Sequence, residues 1–152
     1  MVYSGSSRVS GALERNLEVA MKGRCLCGSI EVVAADRHEV GLCHCTMCRR
    51  WTGGPMFAIH GGKDVQFSGD TPAAYRSSEW AERGFCPRCG THLFYRLVQN
   101  GEYALPVGLF QDVPFTLVKE IFIDEKPAFY DFANQTRKKT GQQVFEEVAP
   151  KP

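Results

Sequence analysis

The sequence predicts a small all-β domain of antiparallel strands that its cysteines help to hold together. Short runs of β-branched and aromatic residues alternate with turn residues along most of the chain, which has 15 glycines and 8 prolines in 152 residues. No stretch of helical periodicity exceeds about three turns. Seven cysteines are concentrated in three tight groups. Together these observations favour antiparallel sheets over a helical or an alternating β/α domain.

The predicted strands lie between residues 29 and 124. They are SIEVVA (29–34), MFAIHG (56–61), DVQFSG (64–69), AAYRSS (73–78), THLFYRLV (91–98), EYALPVGLF (102–110) and KEIFID (119–124). One more short strand, ERGF (82–85), precedes a cysteine pair and is expected to form a hairpin with the strand that begins at residue 91.

The chain is expected to divide into three parts. Residues 1–21 form an N-terminal arm or extension, in which ALERNLEVAM (12–21) has the apolar spacing of a short helix. Residues 22–133 form the domain, and its last segment, DEKPAFYDFA (124–133), returns aromatic side chains to the core. Residues 134–152 form a polar tail.

Composition argues against several classes of function. The formal net charge is +1, so no overall field attracts nucleic acid, and the basic run RKK (137–139) is a weak signal for such a partner. Apolar runs are too short to span a membrane, and the first residues lack the apolar stretch of a secretory signal. We therefore expect a cytoplasmic protein whose cysteines bind metal rather than form disulfides. The alternative is one reactive bridge between Cys86 and Cys89.

Two cysteine pairs predict a closed structural zinc site. In CPRCG, Cys86 and Cys89 converge on one ion if the backbone between them turns tightly, and the following glycine permits the positive φ that such a turn needs. In CLCG, strand alternation would place Cys25 and Cys27 on one face and turn Leu26 toward the core. Two ligands from each pair complete a tetrahedral zinc site.

The third group, CHCTMC, supplies only three thiols, from Cys43, Cys45 and Cys48. A zinc ion with three protein ligands keeps its fourth position for water or an incoming group, as catalytic zinc sites do. Alternation points the intervening His44 away from its neighbours. The alternative is a second structural zinc site completed by His60 or His92.

Three motifs in this order, GRCLCG (23–28), CHCTMCR (43–49) and CPRCG (86–90), resemble those of the glutathione-dependent formaldehyde-activating enzyme family, which includes the centromere protein V type domain. The resemblance extends from about residue 22 to residue 132. It implies a β-tent of packed antiparallel sheets, similar to the mammalian-suppressor-of-sec-four-like fold. It also implies one structural zinc on the two cysteine pairs and one catalytic zinc on the group of three.

The resemblance implies a carbon–sulfur lyase acting on the adduct of glutathione, or a similar small thiol, with a small aldehyde such as formaldehyde. An open zinc site with three thiolates is a weak Lewis acid but suits a soft fourth ligand such as an external thiol. Arg49 and Arg50, directly after the group of three, are candidates to bind the carboxylates of glutathione. Two alternatives are a glutathione carrier without catalysis and a structural interaction module with two zinc ions.

Overall fold

The computed structural model describes residues 20–148, which contain eleven strands and two α-helices. The strands are β1 (Ala20–Arg24), β2 (Ile30–Ala35), β3 (Glu39–Cys43), β4 (Met56–Gly62), β5 (Gln66–Gly69), β6 (Ala73–Arg76), β7 (Ala81–Phe85), β8 (His92–Leu97), β9 (Tyr103–Pro106), β10 (Thr116–Ile121) and β11 (Arg137–Lys139). The helices are α1 (Thr46–Thr52) and α2 (Gly141–Val148), and short 3-10 turns span Val107–Leu109 and Ile123–Glu125.

The strands form two sheets. A three-stranded antiparallel sheet has the order β1-β2-β5, and an eight-stranded sheet has the order β11-β10-β3-β4-β9-β8-β7-β6. Most neighbours in the large sheet are antiparallel, whereas β10 pairs in parallel with both β3 and β11. The prediction of a mainly antiparallel β fold is therefore confirmed.

The core lies where apolar faces of the two sheets meet. Along β2, Ile30, Val32 and Ala34 are buried while the residues between them are more exposed, which is the period-2 pattern of a sheet with one face in the core. Leu93 and Leu105 contribute from the large sheet to the same cluster. Two cysteines, Cys25 and Cys86, are also fully buried members of this cluster. The cysteine pairs are thus built into the junction between the sheets.

Several elements differ from the sequence-based expectation. Strand β11 consists of three basic residues, and α2 follows it, so most of the segment expected to be a polar tail has regular structure. An edge strand of basic residues is explained by its position, because charged side chains at an edge discourage pairing with other chains. The short helix expected at 12–21 lies outside the described residues except for Ala20 and Met21, which belong to β1. Within residues 20–148, neither helix has the length and apolar content to cross a membrane.

Candidate metal centres

The two cysteine pairs meet at the ends of two turns. Cys25 follows β1 directly, and its carbonyl accepts a hydrogen bond from the amide of Gly28 at 3.0 Å. Cys86 follows β7, and its carbonyl accepts from the amide of Gly90 at 2.9 Å. Both glycines have positive φ, 78° and 76°, which other residues rarely adopt. Each pair is therefore held by its own tight turn, and the packing of the sheets brings the two turns together.

The distances between the four thiols fit one tetrahedral zinc ion. All four sulfur atoms lie within 4.8 Å of one another, with Cys27 Sγ 3.6 Å from Cys25 Sγ and 3.8 Å from Cys86 Sγ. Thiolates bound to zinc at about 2.3 Å in a tetrahedron lie about 3.8 Å apart. Cys89 completes the group, and the hydroxyl of Thr91, 3.1 Å from its sulfur, lowers the pKa of this thiol to about 5. The group thus has the geometry of a site that could hold one tetrahedral metal ion.

The expectation that Leu26 faces the core was wrong. Its side chain is 88% exposed, and its amide donates a hydrogen bond to the hydroxyl of Thr91 at 3.0 Å. The reason is that β1 ends at Arg24, so the cysteines around Leu26 lie in a turn where strand alternation does not apply. The two sulfurs still converge, but through the turn rather than through a shared strand face.

The group of three thiols lies where β3 passes into α1. Cys43 is the last residue of β3, Cys45 is the N-cap of α1, and Cys48 lies in the first turn of that helix. The sulfur of Cys45 accepts a hydrogen bond from the amide of Cys48 at 3.3 Å, which serves as the helix cap. The three sulfur atoms lie within 4.8 Å of one another. This strand-to-helix junction therefore gathers three thiols on a segment of six residues.

Hydrogen bonds among the three thiols shift their pKa values in opposite directions. Hydrogen bonds with Cys43 and Cys48 lower the pKa of Cys45 to about 2, whereas hydrogen bonds with Cys45 and Cys48 raise the pKa of Cys43 far above its usual value. The first proton is therefore lost easily and the later ones with difficulty, because each further thiolate faces a charge of the same sign. A divalent cation removes that repulsion, so the cluster is suited to binding one.

His44 lies behind the three thiols and is completely buried. Its Nε2 lies 2.9 Å from Glu120 Oε1, and its Nδ1 lies 2.7 Å from the hydroxyl of Tyr130. Burial alone would raise the pKa of Glu120, but hydrogen bonds from Thr136 and His44 and the charge of Lys138 hold it below its usual value. Both ring nitrogens of His44 are thus engaged away from the cysteines, and the residue anchors the loop that carries them.

Arg83 is the residue of this site that the sequence analysis missed. It lies in β7, is only 4% exposed, and directs Nη1 and Nη2 to the sulfur of Cys48 at 3.7 and 3.6 Å. Its guanidinium carbon lies 5.0 Å from the ring centroids of both Trp51 and Tyr95. The only signal in the sequence was a charged residue in a short predicted strand, three positions before Cys86.

The other candidate residues around the group of three thiols differ in how far they are buried. Arg49 is half-buried and its Nε donates to the carbonyl of His44 at 2.8 Å, while Arg50 is exposed. His92 stacks on Trp51 with ring centroids 3.9 Å apart, and burial followed by the charge of Arg83 lowers its pKa. Within residues 20–148 the close groups of metal-ligating atoms are the four-thiol and the three-thiol group, and neither includes His60 or His92. In the structure, then, the three thiols have no histidine as a fourth ligand.

Comparison with known proteins agrees with this arrangement. The model of the family described as glutathione-dependent formaldehyde-activating enzyme matches residues 20–125, a range that contains all seven cysteines. The chain belongs to this family. A Schizosaccharomyces pombe member of similar length, described as an uncharacterized lyase, is 34% identical over 132 residues, which is 84% of this chain and 96% of the relative.

A solved structure supports the fold of this family member. The crystal structure of a Rhodobacter sphaeroides protein aligns with a TM-score of 0.52 and 25% sequence identity, covering 61% of this chain and 90% of the other. The resemblance inferred from the cysteine motifs is confirmed, and family membership together with the lyase relative supports a lyase-type function of the glutathione-dependent formaldehyde-activating kind.

Proposed function

We propose that the protein is a zinc-dependent carbon–sulfur lyase that acts on adducts of glutathione, or a similar small thiol, with small aldehydes. The observation that carries this proposal is the group of three thiols at the β3–α1 junction, which offers a metal ion three ligands where the other group offers four. A group with one ligand fewer leaves a position for a substrate. Family membership supports glutathione and formaldehyde as the class of substrates.

The two cysteine groups have different roles in this proposal. Cys25, Cys27, Cys86 and Cys89 hold a structural zinc ion that fastens the small sheet to the β7–β8 hairpin. Cys43, Cys45 and Cys48 hold the catalytic zinc ion, which when bound supplies an electrophile that keeps an external thiol in its thiolate form at neutral pH. An ordinary thiol with a pKa of about 8.5 is only a few per cent ionised at that pH.

The reaction needs no oxidant or further reactant. The thiol sulfur forms a bond to the carbonyl carbon of the aldehyde, and the thiol proton ends on the carbonyl oxygen, which gives a hemithioacetal. In the reverse direction the carbon–sulfur bond breaks and thiol and aldehyde are released. Most of the acceleration must come from holding the two reactants together, because a more acidic thiol is also a weaker nucleophile.

The chain's own residues supply the binding of the thiol in this proposal. Arg49 and Arg50 lie in the last turn of α1, one turn beyond Cys45, and their charges suit the two carboxylates of glutathione. Arg50 is the more exposed and is the one we expect to contact a free carboxylate, because Arg49 already donates to the carbonyl of His44. Trp51, the next residue in α1, presents its indole ring to Arg83.

The proposal is tested by the rate of exchange between free formaldehyde and its glutathione adduct, followed by exchange NMR with isotope-labelled formaldehyde. Zinc-loaded protein should raise the exchange rate well above the spontaneous rate. The variant Cys45→Ser should remain folded and lose this acceleration, because serine keeps the helix cap but is a poor zinc ligand. Binding of glutathione without any acceleration would identify a carrier, and absence of zinc in protein purified under reducing conditions would refute both.

A further inference from the structure

Arg83 is buried without a carboxylate. Among the ion pairs formed by residues 20–148, none includes this guanidinium, whereas the buried Glu120 is paired with both His44 and Lys138. Its polar contacts are the sulfur of Cys48, at 3.6 and 3.7 Å, and the hydroxyl of Ser77, 3.2 Å from Nε. Removing a charged group from water without a partner of opposite charge is costly. The contacts offer one group that can become its partner of opposite charge, the sulfur of Cys48, which would be a thiolate when it binds a metal ion.

Two aromatic rings hold the guanidinium in place. Trp51 and Tyr95 each lie 5.0 Å from its central carbon, and Tyr95 belongs to β8, directly opposite Arg83 in the register of the sheet. A planar guanidinium can interact with two ring faces and still direct N–H groups along its edge, which an ammonium group cannot do. The structure thus fixes both the position and the direction of this positive charge.

We propose that Arg83 is the counter-charge of the three-thiolate centre and determines that its fourth position accepts an anion. This inference concerns the metal site of the proposed function. Three thiolates and one zinc ion carry a net charge of −1, and an anionic fourth ligand raises this to −2 in a partly buried place. Arg83 adds one positive charge beside Cys48. Together with Arg83, the centre that holds an anionic ligand therefore has a net charge of −1, the same as the centre without that ligand and without Arg83.

The same contact weakens the donation of Cys48 to the metal. A hydrogen bond from N–H to a coordinated sulfur withdraws electron density from it, as second-shell contacts at metal sites do. The metal then attracts its remaining ligand more strongly. Arg83 acts through Cys48 and through charge, which makes it a positioning and specificity-determining residue for ligands rather than a group that contacts the reacting carbon.

The test measures ligand affinity rather than turnover. Cobalt(II) takes the same tetrahedral sites as zinc and gives a visible spectrum, so that added ligands are followed by their difference spectra. The probes are 2-mercaptoethanol, which binds as an anionic thiolate, and imidazole, which binds as a neutral ligand. The proteins are the wild type, Arg83→Gln and a matched control, Arg37→Gln. Arg37 is exposed and precedes β3, whereas Cys43 is the last residue of that strand, so the control removes the same charge at the opposite end of the strand.

The expected result is a change in selectivity. For a unit charge about 6 Å away at an effective dielectric constant of about 20, with screening by solvent, Arg83→Gln should weaken thiolate binding roughly 10- to 100-fold. The affinity for imidazole should stay within about threefold of the wild-type value, because a neutral ligand has no net charge that interacts with the guanidinium. The control should match the wild type for both probes. If the affinities for both ligands fell equally, the role of Arg83 would be merely structural and the proposal would be overturned. Unchanged affinities for both ligands would also overturn it.

A second variant decides the matter if Arg83→Gln does not fold. Arg83→Lys keeps the charge and loses the planar fork, so the ratio of thiolate to imidazole affinity should stay within about fivefold of the wild type. A folded Arg83→Lys protein in which that ratio falls by an order of magnitude or more would overturn the proposal.

The outcomes also separate this proposal from the proposed function. Arg83-dependent thiolate binding without acceleration of thiol–aldehyde exchange supports the role of Arg83 and refutes the lyase. Rapid exchange with an unchanged affinity ratio in Arg83→Gln refutes the role of Arg83 and leaves the lyase intact. A wild-type cobalt protein that binds imidazole but no thiolate overturns both.

Discussion

The two cysteine groups should contribute very unequally to stability, and a matched pair of substitutions can show it. Cys89 and Cys45 are both half-buried, one in each group. Cys89→Ser removes a ligand from the group that joins positions 59 residues apart, whereas Cys45→Ser removes one from a segment of six residues and leaves a serine at a helix N-cap, where it is favoured. The first variant opens a long-range cross-link, and the second does not.

The magnitude follows from loop closure. Closing a loop of about 60 residues raises the free energy of the unfolded chain by about 4 kcal/mol, and closing a loop of about five residues raises it by about 2 kcal/mol. For a chain of this size, 1 kcal/mol corresponds to about 2–4 °C in melting temperature. Cys89→Ser should therefore melt about 10 °C or more below the wild type, or fail to fold, since a bound structural zinc adds its own binding energy. By the same conversion, Cys45→Ser should melt about 4–8 °C below the wild type.

Thermal unfolding followed by circular dichroism, with zinc measured in the same samples, tests this difference. We expect Cys45→Ser to retain one zinc ion per chain and a cooperative transition. A chelator added to the wild type should remove zinc in two stages, the first of which lowers the melting temperature by less than the second. If Cys45→Ser is destabilised as much as Cys89→Ser, both groups are structural and the proposed division between them is refuted.

Two further substitutions test the surroundings of the site. Gly84→Ala should destabilise the protein by about 1–3 kcal/mol in denaturant titrations, because a Cβ at this position would lie 2.1 Å from the ring of Phe94, whereas Gly108→Ala, whose Cβ would meet nothing within 4 Å, should be nearly neutral. Glu120→Gln should cost about 2 kcal/mol at neutral pH, because it removes the charge that faces His44. Because folding lowers the pKa of Glu120, the contribution of its charge to the free energy of unfolding is complete above the unfolded pKa of about 4.3 and is lost as pH falls through the folded pKa. The stabilities of Glu120→Gln and the wild type should therefore converge in acid. A constant difference between them down to pH 2 would refute this account.

The parts of the site that the sequence predicted are those encoded by local spacing. The three thiols of CHCTMC converge because a strand end and a helix N-cap lie within six residues, and the pairs converge because each forms a tight turn closed by glycine. Even there the local geometry of Cys25 and Cys27 was misjudged, since alternation was assumed for what is a turn. The spacing sufficed to group the ligands but not to describe the backbone between them.

The parts that the sequence could not predict depend on strand order in the large sheet. Arg83 reaches Cys48 across 35 residues, and Glu120 reaches His44 across 76. The second contact forms because β10 lies beside β3. Neither contact leaves a periodic signal, since one charged residue in a strand is usually exposed. The same holds for β11, a strand of three basic residues whose place is set by pairing with β10 rather than by its own propensity.

Strand β7 carries Arg83 three positions before Cys86, and this spacing has a consequence for how the protein matures. A metal ion in the four-thiol group would tie the end of β7, the strand that carries Arg83, to the turn that follows β1. We therefore expect metal loading to be ordered: the first zinc ion organises the hairpin, and only the organised hairpin presents the charge that the second centre requires. A chain with metal only in its four-thiol group would then be folded but inactive, and it would gain activity when the three-thiol group is loaded.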